Sequence, residues 1–205
     1  METSLIVALI GFGRNVFGLV TRPYETCRGI AEKPNPRELL YVGAVLALYF
    51  ILASLVKIAG FRPFLLTRQF MVLAGAAGVT YCLVVALFWG AGRWVAAEGK
   101  LKSLAVLWGY SLLPTVMWFF VTSLLYVLLP PPRTASIRGV LFSVFFLVFS
   151  VTLFLWKATM TYLSLRFGLR LDLGKILVVL AICLPVLGFY SYGMYRLGIF
   201  KIPFI

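Results

Sequence analysis

Of 205 residues, 62% are hydrophobic and only 12% are charged, and the mean hydropathy is +1.03. Soluble domains are roughly 45–50% apolar and about 25% charged, so this chain has too little polar surface to cover a globule in water. The net charge of +13 argues against a nucleic-acid partner, because the basic residues stand in small groups between apolar runs, as membrane flanks do, and such flanks adhere to anionic lipid headgroups.

The first twenty residues, METSLIVALIGFGRNVFGLV, open on Glu2, are interrupted by Arg14 and end without a small-residue cleavage pattern. They do not read as a secretory leader. They predict an amphipathic helix lying along the cytoplasmic leaflet, with an uncleaved anchor as the alternative. In the next segment, TRPYETCRGIAEKPNPREL, Pro23 suits a first helical turn, Glu25 favours that helix's positive end, and Pro34 stops it. Asn35, Pro36 and Glu38 then give an N-cap, an N1 proline and an N3 carboxylate for the first spanning helix.

Five uncharged apolar runs follow, at 39–56, 69–92, 103–132, 139–156 and 176–195. Each has about 18 residues or more, enough at 1.5 Å per residue for a hydrocarbon core of roughly 30 Å. The expected fold class is therefore all-α: an integral membrane bundle of five transmembrane helices with an N-terminal interfacial amphipathic helix. Residues 1–35 form the cytoplasmic interfacial and juxtamembrane segment, 36–200 the transmembrane domain, and 201–205 a short outer tail.

With the N-terminus inside, one side receives Arg14, Arg22, Arg28, Lys33, Arg37, Arg93, Lys100, Lys102, Arg166, Arg170 and Lys175. The other receives Lys57, Arg62, Arg68, Arg133, Arg138, Arg196 and Lys201. That bias places the N-terminus in the cytoplasm and the C-terminus outside a multi-pass cell membrane protein. Trp89, Trp94, Trp108 and Trp156 fall near the predicted cytoplasmic ends, where indole rings prefer the headgroup level.

The second run carries Ala74, Gly78, Cys82, Ala86 and Gly90, a small residue at every fourth position. Such a row reads as a packing seam against another helix, with an uncharged pore lined by small residues as the alternative. Partners expected of the chain are membrane lipids and a homo-oligomer or membrane-protein partner. In the fourth, Ser143, Ser150, Lys157 and Ser164 recur at steps of seven and share one polar stripe. Lys157 is expected to snorkel toward the cytoplasmic interface. The sharper reading has it face the bundle, with Ser150 and Tyr110, to meet a lipid phosphate or a partner carboxylate. The fifth run, with Pro185, Gly188, Gly193, Tyr190, Tyr192 and Tyr195, is expected to bend. Pro130, Pro131 and Pro132 predict a stiff outer connection.

Catalysis is excluded largely by subtraction. The chain has no histidine, and its three cysteines, Cys27, Cys82 and Cys183, are far apart without ligand spacing. There is no HExxH, no P-loop and no dinucleotide fingerprint, and Gly109-Tyr110-Ser111 lacks the second glycine of GxSxG. All six carboxylates fall in the flanks, so no buried acid is expected for a proton-coupled carrier. No enzyme, catalytic residue, metal or cofactor is expected.

The third run contains Gly109, Tyr110, Ser111, Leu112, Leu113 and Pro114, GYSLLP, and Arg22, Pro23, Glu25 and Thr26 stand upstream as RP-x-E-T. In this order, and with five runs, the chain resembles the Yip1 domain family, its prokaryotic branch in particular, from about residue 15 to about 200. The resemblance implies a five-helix integral membrane protein without catalytic residues. The DLYGP-type motif of the eukaryotic branch is missing, so no Rab-binding role is carried over. Pro114 reads as a structural hinge. The function expected is a non-enzymatic membrane scaffold or adaptor acting through a basic cytoplasmic face. The alternative is a small transporter, channel or lipid-handling protein that uses the polar stripe and the proline-kinked helices.

Overall fold

Where a backbone leaves water it must satisfy its own polar groups, and a helix does so within a single segment. The computed structural model describes residues 2–57, 63–128 and 137–199, and every regular element among them is helical. In chain order these are α1 (Glu2–Thr21), α2 (Pro23–Glu32), α3 (Glu38–Lys57), α4 (Pro63–Trp94), α5 (Leu101–Ser111), α6 (Leu113–Leu128), α7 (Ile137–Leu163) and α8 (Leu173–Arg196). A π-turn, Ser164–Gly168, closes α7.

Four stretches are long and apolar enough to cross a bilayer: Arg68–Trp94, Leu101–Leu125, Gly139–Gly168 and Leu173–Arg196. The expected first span is the helix α3, but its apolar part, Glu38–Ser54, is shorter than these. Length and composition therefore support four spans among the described residues where the sequence suggested five. The three-proline connection and the tail 201–205 lie outside those residues.

The RP-x-E-T segment builds the corner between α1 and α2. Pro23 opens α2, where its missing N–H costs nothing. The Arg22 N–H donates back to the Gly18 carbonyl at 2.7 Å and closes α1. The Thr26 hydroxyl donates to the Arg22 carbonyl at 2.9 Å and lies over Gly18, where a Cβ would come within 2.5 Å of it. The exposed Arg22–Glu25 pair, at 3.8 Å, adds little. α3 begins at Glu38, whereas an N-cap at Asn35 would start it at Pro36; Asn35 Oδ1 accepts from the Arg37 N–H at 3.2 Å in the turn that leads into the helix.

α5 forms the axis of the bundle. Ser103, Leu104 and every residue from Val106 to Ser111 are buried, so beyond its exposed first two residues it presents no outward face. On one side Leu104 and Trp108 join Val84 and Phe88 of α4 with Val179 and Leu187 of α8. On the other, Val106, Leu107 and Tyr110 meet Leu19 of α1, Cys27 and Ile30 of α2, and Met160 of α7. α1 is therefore docked onto the body. Its exposed side chains include Ile6, Val7, Ile10, Phe17 and Val20 beside Arg14. Its polar Asn15 is turned inward, engaged with α3 and α5.

Candidate functional site

The third apolar run breaks at Leu112, between α5 and α6. Pro114 is the second residue of α6, within a first turn where proline is tolerated, and Leu101–Leu125 still runs as one apolar stretch interrupted at Leu112. Leu112 stays in the right-handed helical region, at φ −77° and ψ −18°, and its N–H turns back on the Gly109 and Tyr110 carbonyls. The last carbonyls of α5 lack intrahelical partners, which makes this a natural place for side chains to dock.

Each residue of the Gly109-Tyr110-Ser111 triplet receives a different neighbour. Gly109 lets α3 close in: a Cβ there would collide with the Leu39 side chain. The Tyr110 hydroxyl donates to Glu38 Oε2 at 2.5 Å. Asn15 Nδ2 donates to the same oxygen at 2.9 Å and to the Tyr110 hydroxyl at 3.3 Å. Phe12 stacks on the Tyr110 ring at 5.9 Å, and Gly11 leaves room for Glu38 Oε1. Glu38 is only 7% exposed. The expectation that no acid is buried is thus corrected: Glu38 leaves its own helix start and reaches the partners that α1 and α5 bring to it.

Ser111 receives α7. The Lys157 ammonium donates to the Ser111 carbonyl at 3.0 Å and to its Oγ at 3.3 Å, and lies 4.5 Å from the centroid of the Trp108 ring. The Ser111 hydroxyl in turn donates to the Trp108 carbonyl at 2.8 Å. A cation at the carbonyl end of α5 is favoured by the helix dipole, and the indole face adds a cation–π contact. The snorkelling expectation is corrected: Lys157 turns inward because the interrupted helix offers it acceptors that lipid cannot. Tyr110 and Lys157 thus bracket the helix break from opposite sides of α5, one tied to α3 and the other to α7.

The remaining candidates divide. Ser150 Oγ accepts from the Trp118 indole at 2.9 Å and links α6 to α7. Ser143 is exposed and donates to its own helix at Gly139, and buried Ser164 does the same at Met160. Ala74 and Gly78 line an apolar cavity of about 260 Å³ between α3, α4 and α5, roofed by Trp108, Gly109 and Leu112. Gly78, Cys82, Ala86 and Gly90 are exposed, and no described atom would come within 4 Å of a Cβ on Gly78 or Gly90. Ala86 and Gly90 border a shallow hollow shared with Ile182, Cys183 and Val186 of α8. Of the fifth-run tyrosines, Tyr190 shares a 2.7 Å hydrogen bond with Thr80 of α4, while Tyr192 and Tyr195 face outward. Pro185 lies inside α8, which continues through it.

A second, polar cavity of about 430 Å³ opens at the other end of α5, lined by Arg28 and Glu32 of α2, Lys100 and Ser103, and Arg166, Arg170 and Asp172. Ser103 Oγ donates to the Ala31 carbonyl at 3.0 Å and holds α2 against the start of α5. No group of three or more metal-ligating side chains exists among the described residues.

Sequence reading missed Asn15 and Gly11, and it saw Glu38 only as a cap. The available signal was Gly11 and Asn15 four residues apart on one face of α1, next to a carboxylate that opens an apolar run.

A family model described as the Yip1 domain matches residues 17–194. No curated protein and no solved structure is significantly similar to the chain.

Proposed function

The chain belongs to the Yip1 domain family of membrane proteins, and from that premise we propose that it is a non-enzymatic, five-span membrane scaffold with its N-terminus in the cytoplasm. In this reading α3, which is 20 residues long, crosses as the first span, and α2, the start of α5, the π-turn and the start of α8 form the cytoplasmic end. That end engages a protein partner, or a second copy of this chain, together with anionic lipid headgroups.

The observation that carries the reading is where charge and greasiness fall. Arg28, Lys100, Arg166 and Arg170 meet around one cavity at one end of the body. Along the sides, Phe145, Val148, Phe154, Leu177 and Phe189 face outward, as lipid contact requires. A photo-crosslinking residue at Lys102 or Lys33 in native membranes is expected to trap a discrete partner or dimer. The same group at Tyr192, on the outward side of α8, should trap lipid alone. Identical products from both ends would remove the scaffold reading.

One observation favours a second reading, a small carrier or lipid-handling protein. Glu38 and Lys157 place two ionisable side chains within the apolar body, on either side of the helix break and next to an apolar cavity. Polar groups at such depth mark transport paths in many membrane proteins. Purified protein in sealed vesicles is then expected to move protons or lipid, and to lose that movement with Glu38→Gln. Vesicles no leakier than protein-free ones would exclude it.

A further inference from the structure

We propose that the polar cavity between α2, the start of α5, the π-turn and the start of α8 is a binding site for a phosphate-bearing anion, held by Lys100, Arg166 and Arg170. The proposal deepens the reading of the basic end and rests on it. Its test reads binding alone, however, and so can fail without that reading failing.

Charge supplies the first argument. Of the four basic side chains that line the cavity, Arg28 is already occupied by Glu32, its Nε 3.1 Å from Oε1. Among the described residues, no carboxylate lies within 4.0 Å of Lys100, Arg166 or Arg170. Asp172 lines the same cavity but pairs with none of them. Three like charges gathered on one hollow repel one another, an arrangement that a multivalent anion relieves. Two of the three are guanidinium groups, whose planar fork matches phosphate oxygens better than it matches a single-charge acceptor.

Rigidity supplies the second. The Gly99 N–H donates to the Leu169 carbonyl at 3.1 Å, and a Cβ on Gly99 would collide with the backbone of Gly168 and Leu169. Gly168 itself presses on α5, where a Cβ would lie 2.9 Å from Leu104 Cα. Arg166 sits within the π-turn and is held by a hydrogen bond to the Tyr162 hydroxyl at 3.1 Å. Arg170 adopts a left-handed backbone at φ 56°, which a side chain as large as arginine seldom takes. π-turns and such backbone outliers collect where a chain is bent to aim side chains, and here the bend delivers two arginines to one hollow.

Helix ends supply the third. Lys100 and Asp172, which line the cavity, are the residues just before α5 and α8, and neither helix start has a side-chain cap. Their first N–H groups are free to contribute to the same anion.

The ligand chemistry has two sources, a lipid headgroup or a soluble phosphate. Thermal unfolding of the full chain in neutral detergent separates them, with phosphatidic acid, inorganic phosphate and diacylglycerol as probes. A rise in Tm with phosphatidic acid but not with diacylglycerol is expected. If inorganic phosphate raises it too, the site is open to soluble phosphates; if not, it is a headgroup site. In either case the triple variant Lys100→Gln, Arg166→Gln, Arg170→Asn should need roughly tenfold more probe or worse, whereas Arg196→Gln, at the opposite end of α8, should match the parent. Asparagine tolerates the left-handed backbone at 170. Should the triple variant not fold, Lys100→Gln alone, an exposed change, should show a smaller loss in the same direction. Equal shifts with diacylglycerol, no shift with any probe, or a folded variant that binds like the parent would overturn the proposal.

Discussion

The most apolar 18-residue windows of Leu101–Leu125 and Gly139–Gly168 have mean hydropathies of 1.7 and 2.4, yet 61% of the first window and only 6% of the second is buried. The less greasy window stands at the centre and the greasier one at the edge. In water the order would be reversed. In a bilayer lipid is as good a neighbour as leucine, so apolar residues need no interior and polar ones do. The polar groups of α5 accordingly face Glu38, Asn15 and Lys157, while Ser143, Thr152 and Thr159 on α7 bond only to their own helix.

The strongest way to break that contrast is to crowd the centre. Gly99→Ala drives a methyl group into the backbone of Gly168 and Leu169, which cannot give way as the tip of a side chain can. A loss of about 3 kcal/mol is expected in detergent unfolding. Gly188→Ala on α8, with nothing within 4 Å, should change stability by less than about 0.5 kcal/mol. Equal effects would mean that the centre is not close-packed.

Removing the carboxyl group comes next. Glu38→Ala leaves the Tyr110 hydroxyl and the Asn15 amide with only each other, and should cost about 2 kcal/mol. Glu38→Gln retains an acceptor and should cost about half as much. If both variants unfold like the parent, the junction of α1, α3 and α5 does not depend on this contact.

That contact also marks the limit of what the sequence alone reveals. Length and hydropathy locate the helices, because the bilayer imposes one length scale on every run. RP-x-E-T and GYSLLP are recognisable as motifs, and Pro23 reads correctly as a helix start. What stays hidden is the partner of each polar residue. Glu38 satisfies the local rule for a helix N-terminus, and nothing nearby in the sequence points to Tyr110, 72 positions away. Lys157 has a stem long enough to snorkel, and only the carbonyl released at Ser111 makes the inward path better. The small-residue row of α4 is periodic, but periodicity cannot say whether the facing helix belongs to the same chain.

Lys157 offers a finer comparison, since it shares a stripe on α7 with Ser143. Lys157→Met removes the donor to Ser111 and the cation over Trp108, and should lower stability by about 1–2 kcal/mol. Ser143→Ala removes only a bond to its own helix and should change it by less than about 0.5 kcal/mol. If the two substitutions prove equally silent, the inward lysine does not hold α7 to the axis.

The smallest effect tests how well α2 is sealed against the bundle. Cys27 is buried on α2 outside the apolar spans, and burial pushes its thiol from the ordinary 9.0 up to about 12. In a Cys82→Ser, Cys183→Ser background, maleimide at pH 8 should leave the folded protein unmodified and label it fully once denatured, because only the accessible thiolate reacts. The same shift fixes a pH dependence. The unfolded chain would ionise near 9.0 and the folded chain only near 12, so the stabilisation is complete below about 9 and drains away as the pH climbs toward 12. Rapid labelling of the folded protein would mean that α2 lifts off α5, and the closely packed centre would then begin above it rather than include it.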